Sequence, residues 1–110
     1  MLILVGFTEE ELKKIDDEYY AVPPEFLDWK VEELIEKKPA GEKYVPVEDG
    51  KFVIMHDIPK EEISATMKRV RNAVDGHIIF ATTTPTSLKW KLADLLSELK
   101  EEDAYFHRGR

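Results

Sequence analysis

The sequence predicts a three-layer α/β fold: a four-stranded, mainly parallel sheet in the order 2-1-3-4, with helices on both faces. Two observations carry this expectation. Short apolar runs without polar alternation, at residues 2–7, 52–55 and 78–81, suit strands buried on both faces. Stretches of helical periodicity alternate with the strands, and such alternation implies right-handed crossovers within one sheet. The strand order follows by analogy with doubly wound folds.

The elements follow in chain order. After the first strand, Thr8-Glu9-Glu10-Glu11 has the form of a capping box, with Thr8 as N-cap and Glu11 at N3, and Leu12, Ile15 and Tyr19 recur at helical spacing. Tyr19-Tyr20-Ala21-Val22 reads as a short second strand, stopped by Pro23-Pro24. From Glu25 a second helix is expected, with Leu27, Val31, Leu34 and Ile35 on one stripe. Residues 38–50 read as a flexible loop or an edge hairpin. In the hairpin form, residues 44–47 make an extra edge strand, because Pro46 bars a central one, and Asp49-Gly50 turns into the third strand. Asp57 and Pro59 announce the third helix, with Ile63, Met67, Val70 and Val74 buried. Thr84 and Pro85 open the last helix after the fourth strand, with Leu88, Leu92, Leu95, Leu96 and Leu99 as its stripe. Residues 1–110 read as a single α/β domain, with no internal repeat and no low-complexity tract.

Composition narrows the function classes. At 110 residues and 43% apolar content the chain can bury a core without staples. Charged residues reach 35%, there is one Asn (Asn72), and Gln and Cys are absent, a thermophilic composition rich in ion-pairing side chains. Without cysteine, thiolate metal sites, redox pairs and Cys nucleophiles are excluded. No apolar run nears the roughly 20 residues of a membrane span, and no basic n-region precedes an apolar core, so a cytoplasmic protein without membrane contact is expected. A net charge of −7 opposes nucleic-acid binding. Lys68, Arg69 and Arg71 read as a solvated helix face and the basic end of the chain as a frayed terminus.

In open α/β sheets, ligands sit beyond the carboxyl ends of the strands. Those ends carry Thr8, His56, Asp57, Thr82, Thr83, Thr84, Thr86 and Ser87, which form the candidate ligand site. Hydroxyls before a helix start can hold a small anion, although the glycines of a phosphate loop are missing, and helix capping explains Thr84 or Thr86 as well. Asp57 fits the N-cap of its helix. Three histidines that should not converge give no metal site, and neither catalytic residues nor a cofactor emerge, so the balance leans away from an enzyme. A receiver-domain reading of Asp57 and Thr82 fails, because the first strand ends in Gly6-Phe7-Thr8 rather than an acidic pair. Trp29 and Trp90 stand two residues from Leu27 and Leu88, about 200° around a helix at 100° per residue, and should point away from the core. They are the candidate interface residues, for a homodimer or another protein partner.

The segment Phe80-Ala81-Thr82-Thr83-Thr84-Pro85-Thr86-Ser87-Leu88-Lys89-Trp90, with Leu92, Leu95 and Leu96, resembles a small family known only as a domain of unknown function. The shared pattern is a strand, Thr-Pro-Thr, three residues, Trp and a leucine-rich helix. The likeness extends more vaguely over residues 52–74. It implies an α/β domain, groups Trp90 with the threonines, and supplies no catalytic residues.

Overall fold

The computed structural model describes residues 1–41 and 50–108, with side chains to residue 105. The expected edge strand at 44–47 lies outside the described residues. The elements are β1 (Leu2–Val5), α1 (Glu9–Leu12), β2 (Tyr19–Ala21), α2 (Val31–Lys37), β3 (Lys51–Met55), α3 (Ile63–Ala73), β4 (Ile78–Thr82) and α4 (Leu92–Arg108). The four strands form one sheet in the order β2-β1-β3-β4, as the sequence predicts.

The sheet is mostly parallel, with one exception at its centre. β1 runs parallel to β2 and β3 parallel to β4, but β1 and β3 are antiparallel, pairing Leu2 with Met55, Ile3 with Ile54 and Val5 with Phe52. Both faces are covered, which explains the unbroken apolar runs. Ile3, Val5, Phe52 and Ile54 face α2 and α4, where Val31, Leu34, Leu92 and Leu96 are buried. Leu2, Leu4, Val53 and Met55 face the opposite way, against Phe7, Ile15, Val70 and Val74 on the side of α1 and α3. Alternation therefore exists, but it divides one apolar core from another.

The antiparallel central pair relates two β-α-β-α units by an approximate two-fold axis normal to the sheet. A shift of 51 residues carries Leu2 to Val53, Ile3 to Ile54, Leu4 to Met55 and Leu12 to Ile63, each onto a residue of the same core. The sheet register then carries Tyr19 onto Phe80, a shift of 61. At that shift, without a gap, Pro24 meets Pro85, Leu27 meets Leu88, Trp29 meets Trp90, Lys30 meets Lys91 and Leu34 meets Leu95. Hydrogen bonding independently supports the equivalence. Lys30 and Lys91 form an antiparallel bridge on the axis, flanked by the symmetric bonds Val31 N–H to Trp90 O (3.0 Å) and Leu92 N–H to Trp29 O (2.9 Å). The chain is an internal repeat after all. Its two shifts differ by ten residues, nearly three turns of helix present in α3 and missing from α1, so no fixed period reveals it.

The repeat also corrects the helix boundaries. No helix starts at Glu25 or Thr84. A 3₁₀ turn at Pro24–Phe26 and another at Ser87–Lys89 precede the extended residues Lys30 and Trp90, and α2 and α4 start only beyond the bridge. Thr8 caps α1 with the expected reciprocal box to Glu11. Asp57 is not an N-cap: a 3₁₀ turn at Lys60–Glu62 leads into α3, and Asp57 takes a left-handed conformation at φ 56°. Its equivalent in the first unit is Gly6, at φ 85°, so the turn after the first strand of each unit demands positive φ.

Gly6 also lies against the start of β3, where a Cβ would come within 2.0 Å of the Gly50 carbonyl oxygen. Gly6→Ala combines that collision with left-handed strain and should cost about 3 kcal/mol or more, measured by chemical denaturation.

Candidate functional site

The reversal of β3 divides the predicted site. Met1 O accepts from His56 N–H at 2.9 Å, so the carboxyl end of β3 lies beside the amino end of β1. Thr8, beyond the carboxyl end of β1, belongs to the opposite edge, where Glu11 pairs with Lys51 at 3.3 Å. The clustering of Thr8 with His56, Asp57 and the threonines required parallel β1 and β3, and the antiparallel pair prevents it.

The remaining residues do gather. Thr83 N–H continues the ladder to Met55 O at 3.0 Å, which sets Thr83 beside the end of β3. There His56 Nδ1 and Thr83 Oγ1 share a hydrogen bond of 2.9 Å. His56 Nε2 lies 3.7 Å from Asp57 Oδ2, and the Asp57 side chain is 90% exposed. The result is a shallow polar corner of imidazole, hydroxyl and carboxylate, the imidazole largely covered and the carboxylate in water.

Thr84 and Ser87 have a different role. Thr84 N–H donates to Ser87 Oγ at 2.9 Å, and Ser87 N–H donates to Thr84 Oγ1 at 3.0 Å. This reciprocal pair closes the 3₁₀ turn and uses the amides that an anion would need. Thr82 and Thr86 are exposed on either side. Trp90 is 37% exposed, while Trp29 packs edge-on to Phe26 with ring centroids 5.2 Å apart. The main chain around both tryptophans joins one unit to the other at the Lys30–Lys91 bridge.

Two of the three basic residues of α3, Arg69 and Arg71, make defined contacts, while Lys68 is exposed on the helix face. Arg69 grips Asp17 with two hydrogen bonds, Nε to Oδ1 at 3.2 Å and Nη2 to Oδ2 at 2.8 Å, fastening the first unit to α3. Hydrogen bonding to Arg69, reinforced by its charge, holds the Asp17 carboxyl below the usual range despite partial burial. Burial works to raise Glu11, but the Thr8 amide and Lys51 outweigh it and hold that carboxyl low as well. Arg71 lies over the Phe80 ring at 5.0 Å. His77, before β4 at the far edge from His56, bonds Asp103 at 2.9 Å. Among the described residues no three His, Asp or Glu side chains converge as a metal site, and no helix is long and apolar enough to cross a membrane.

The pseudo-symmetry supplies a signal that single residues lack. At the positions of His56, Asp57, Thr83 and Thr84, the first unit has Val5, Gly6, Val22 and Pro23. The scaffold therefore forms this corner without polar side chains, and the second unit carries them in addition. Recognising this needs the repeat, which the sequence conceals.

These features define a class: an α/β protein of two β-α-β-α units fused across an antiparallel strand pair, with one unit bearing an extra polar corner. The chain belongs to the DUF3783 family, a domain of unknown function, whose model matches residues 51–106. That match starts with the first residue of β3 and ends within α4, so it delimits one structural unit. Comparisons with curated proteins and with solved structures give no match.

Two outcomes test the local chemistry. Thr84→Ala should destabilise the chain by about 1 kcal/mol through loss of the reciprocal cap, measured by urea denaturation. The second concerns Asp17, whose folded-state pKa is depressed. Its contribution is present above the unfolded value of about 3.9 and is lost as pH falls through the folded one. Arg69→Ala should therefore lower stability at pH 7, with that effect diminishing as pH falls below about 3.9.

Proposed function

We propose that this protein is a non-enzymatic binding module whose partner surface includes the corner formed by His56, Asp57 and Thr83. One observation carries the reading: Asp57 occupies a left-handed position that its equivalent, Gly6, fills without strain, and its carboxylate then projects into solvent beside His56. An aspartate there costs about 1 kcal/mol relative to glycine. Local strain that the fold does not require points to use of the side chain. Chemistry is the weaker reading, because the Asp57 carboxylate projects into solvent rather than into an enclosed cleft, and His56 Nδ1 is committed to Thr83. Binding of a small anion is also weaker, since Thr84 and Ser87 satisfy one another and Asp57 adds negative charge.

The repeat provides an internal control. A photoreactive residue replacing Thr86 in the full chain should cross-link a partner in cells, whereas the same residue at the equivalent Glu25 should not. Asp57→Gly should abolish the cross-link while raising stability by about 1 kcal/mol. Equal cross-linking from both units, or cross-linking that survives Asp57→Gly, overturns the assignment. Phosphate-dependent shifts of the His56 and Thr83 amide resonances would transfer the corner to the small-anion reading.

A further inference from the structure

The two edges of the sheet are treated differently. At the β2 edge, the chain leaving α2 passes alongside: Tyr20 donates its hydroxyl hydrogen to Pro39 O, and residues 38–41 border Tyr19, Tyr20 and Ala21. Gly41 sits so close to Pro23 that a Cβ there would lie 2.8 Å from the proline Cβ. This cover depends on the end of α2 at Lys37, followed by Lys38 in the left-handed region. The equivalent helix, α4, continues to Arg108, and among the described residues no such segment borders β4. Among the described residues, the β4 edge has no flanking strand.

That edge has the properties of a strand acceptor. β4 is five residues long, Ile78-Ile79-Phe80-Ala81-Thr82, with neither the proline nor the lysine that commonly blunts an edge. Because Thr83 N–H points inward to Met55 O, the alternation of the ladder turns the peptide groups of Phe80 and Thr82 outward. A groove of about 270 Å³ runs along the strand between α3 and α4, floored by Ile79 and Phe80 and bordered by Met67 and Leu99. Its two walls differ in charge, with Arg71 on the α3 side and Glu102 on the α4 side.

We propose that the β4 edge receives an extended peptide by strand addition, with acidic side chains towards Arg71 and basic ones towards Glu102. At the β2 edge the flanking chain is held by the Tyr20 side chain rather than by a strand ladder. The charges select the sequence, since successive side chains of a strand point to opposite faces and so meet opposite walls. They also oppose a second copy. Antiparallel β4–β4 pairing about a two-fold axis would set Arg71 against Arg71 and Glu102 against Glu102. This surface goes beyond the His56 corner and uses other residues, so either assignment can fail alone.

The test titrates the isotope-labelled full chain with a capped peptide alternating Glu or Val on one face with Lys on the other, against a scrambled peptide of equal composition. The amides of Phe80 and Thr82 should shift and exchange more slowly, while Ile79 and Ala81 keep their existing protection. Arg71→Glu should weaken binding about tenfold, and a peptide with the two charges exchanged should recover it when combined with Glu102→Lys. N-methylation of the peptide amides facing β4 should also weaken binding at least about tenfold. Absence of shifts at millimolar peptide, or equal binding of the N-methylated peptide, overturns strand addition. Concentration-dependent dimerisation that protects Phe80 and Thr82 assigns the edge to a second copy and overturns the peptide assignment.

Discussion

Antiparallel pairing of β1 with β3 around Ile3 and Ile54 is the constraint on which the remaining architecture depends. Both isoleucines are fully buried on the α2/α4 face, and the pair lies on the approximate two-fold axis. An antiparallel strand pair possesses a local two-fold axis, and each strand here carries a β-α-β-α unit in the same sense. Each unit then adds its second strand in parallel on the outer side. The order 2-1-3-4 and the allocation of α1 and α3 to one face and α2 and α4 to the other follow. The bridge between Lys30 and Lys91 repeats the symmetry one layer above the sheet. There the backbone of residues 29–31 meets that of residues 90–92, and the Val31 and Leu92 amides find carbonyl partners in the other unit, while Glu33 accepts from the Lys30 amide at 3.1 Å.

Symmetry of this kind separates what the scaffold needs from what one unit adds. Trp29 and Trp90 are common to both units and belong to the bridge region. Positive φ at Gly6 and Asp57 is likewise common, since both turns reverse direction after a central strand. His56, Asp57 and Thr83 have no polar counterparts, and neither does the reciprocal Thr84–Ser87 cap, which stands where the first unit has Pro23 and Phe26. The second unit is also the one that matches the family. Departure from the repeat is physical information about the site. The two edges differ in the same manner: an early stop of α2 brings chain alongside β2, whereas α4 runs on to Arg108 and no described strand flanks β4.

Ion pairs fasten the units at their periphery. Arg69 reaches Asp17 across the place where the shortened α1 gives way to a turn, and Lys51 reaches Glu11 at the opposite end of the sheet. Tyr20 is pushed up to about 12 by burial and by Glu25, so its phenol stays protonated as the donor to Pro39 throughout the neutral range. These contacts join residues far apart in the chain and are individually modest, because exposed charge pairs are screened by water and salt. Cohesion comes mainly from the two apolar cores on either side of the sheet.

The sequence by itself determined the strands, the cap at Thr8, the leucine stripe of α4 and the four-stranded α/β class, because apolar runs, capping boxes and helical spacing are local signals; the strand order came only by analogy with doubly wound folds and agrees with the structure. It also marked His56, Asp57 and Thr83 as residues at strand ends. Only the tertiary structure decided the direction of β3 relative to β1, since an apolar strand buried on both faces reads the same whichever way its neighbour runs. That one choice sent Thr8 to the far edge and kept His56 with Thr83. The tertiary structure alone also disclosed the repeat, because ten additional helical residues shift its second half out of phase. It placed the breaks before α2 and α4 too, where the Val31 and Leu92 amides find their partners in the other unit, a contact that no local sequence pattern encodes.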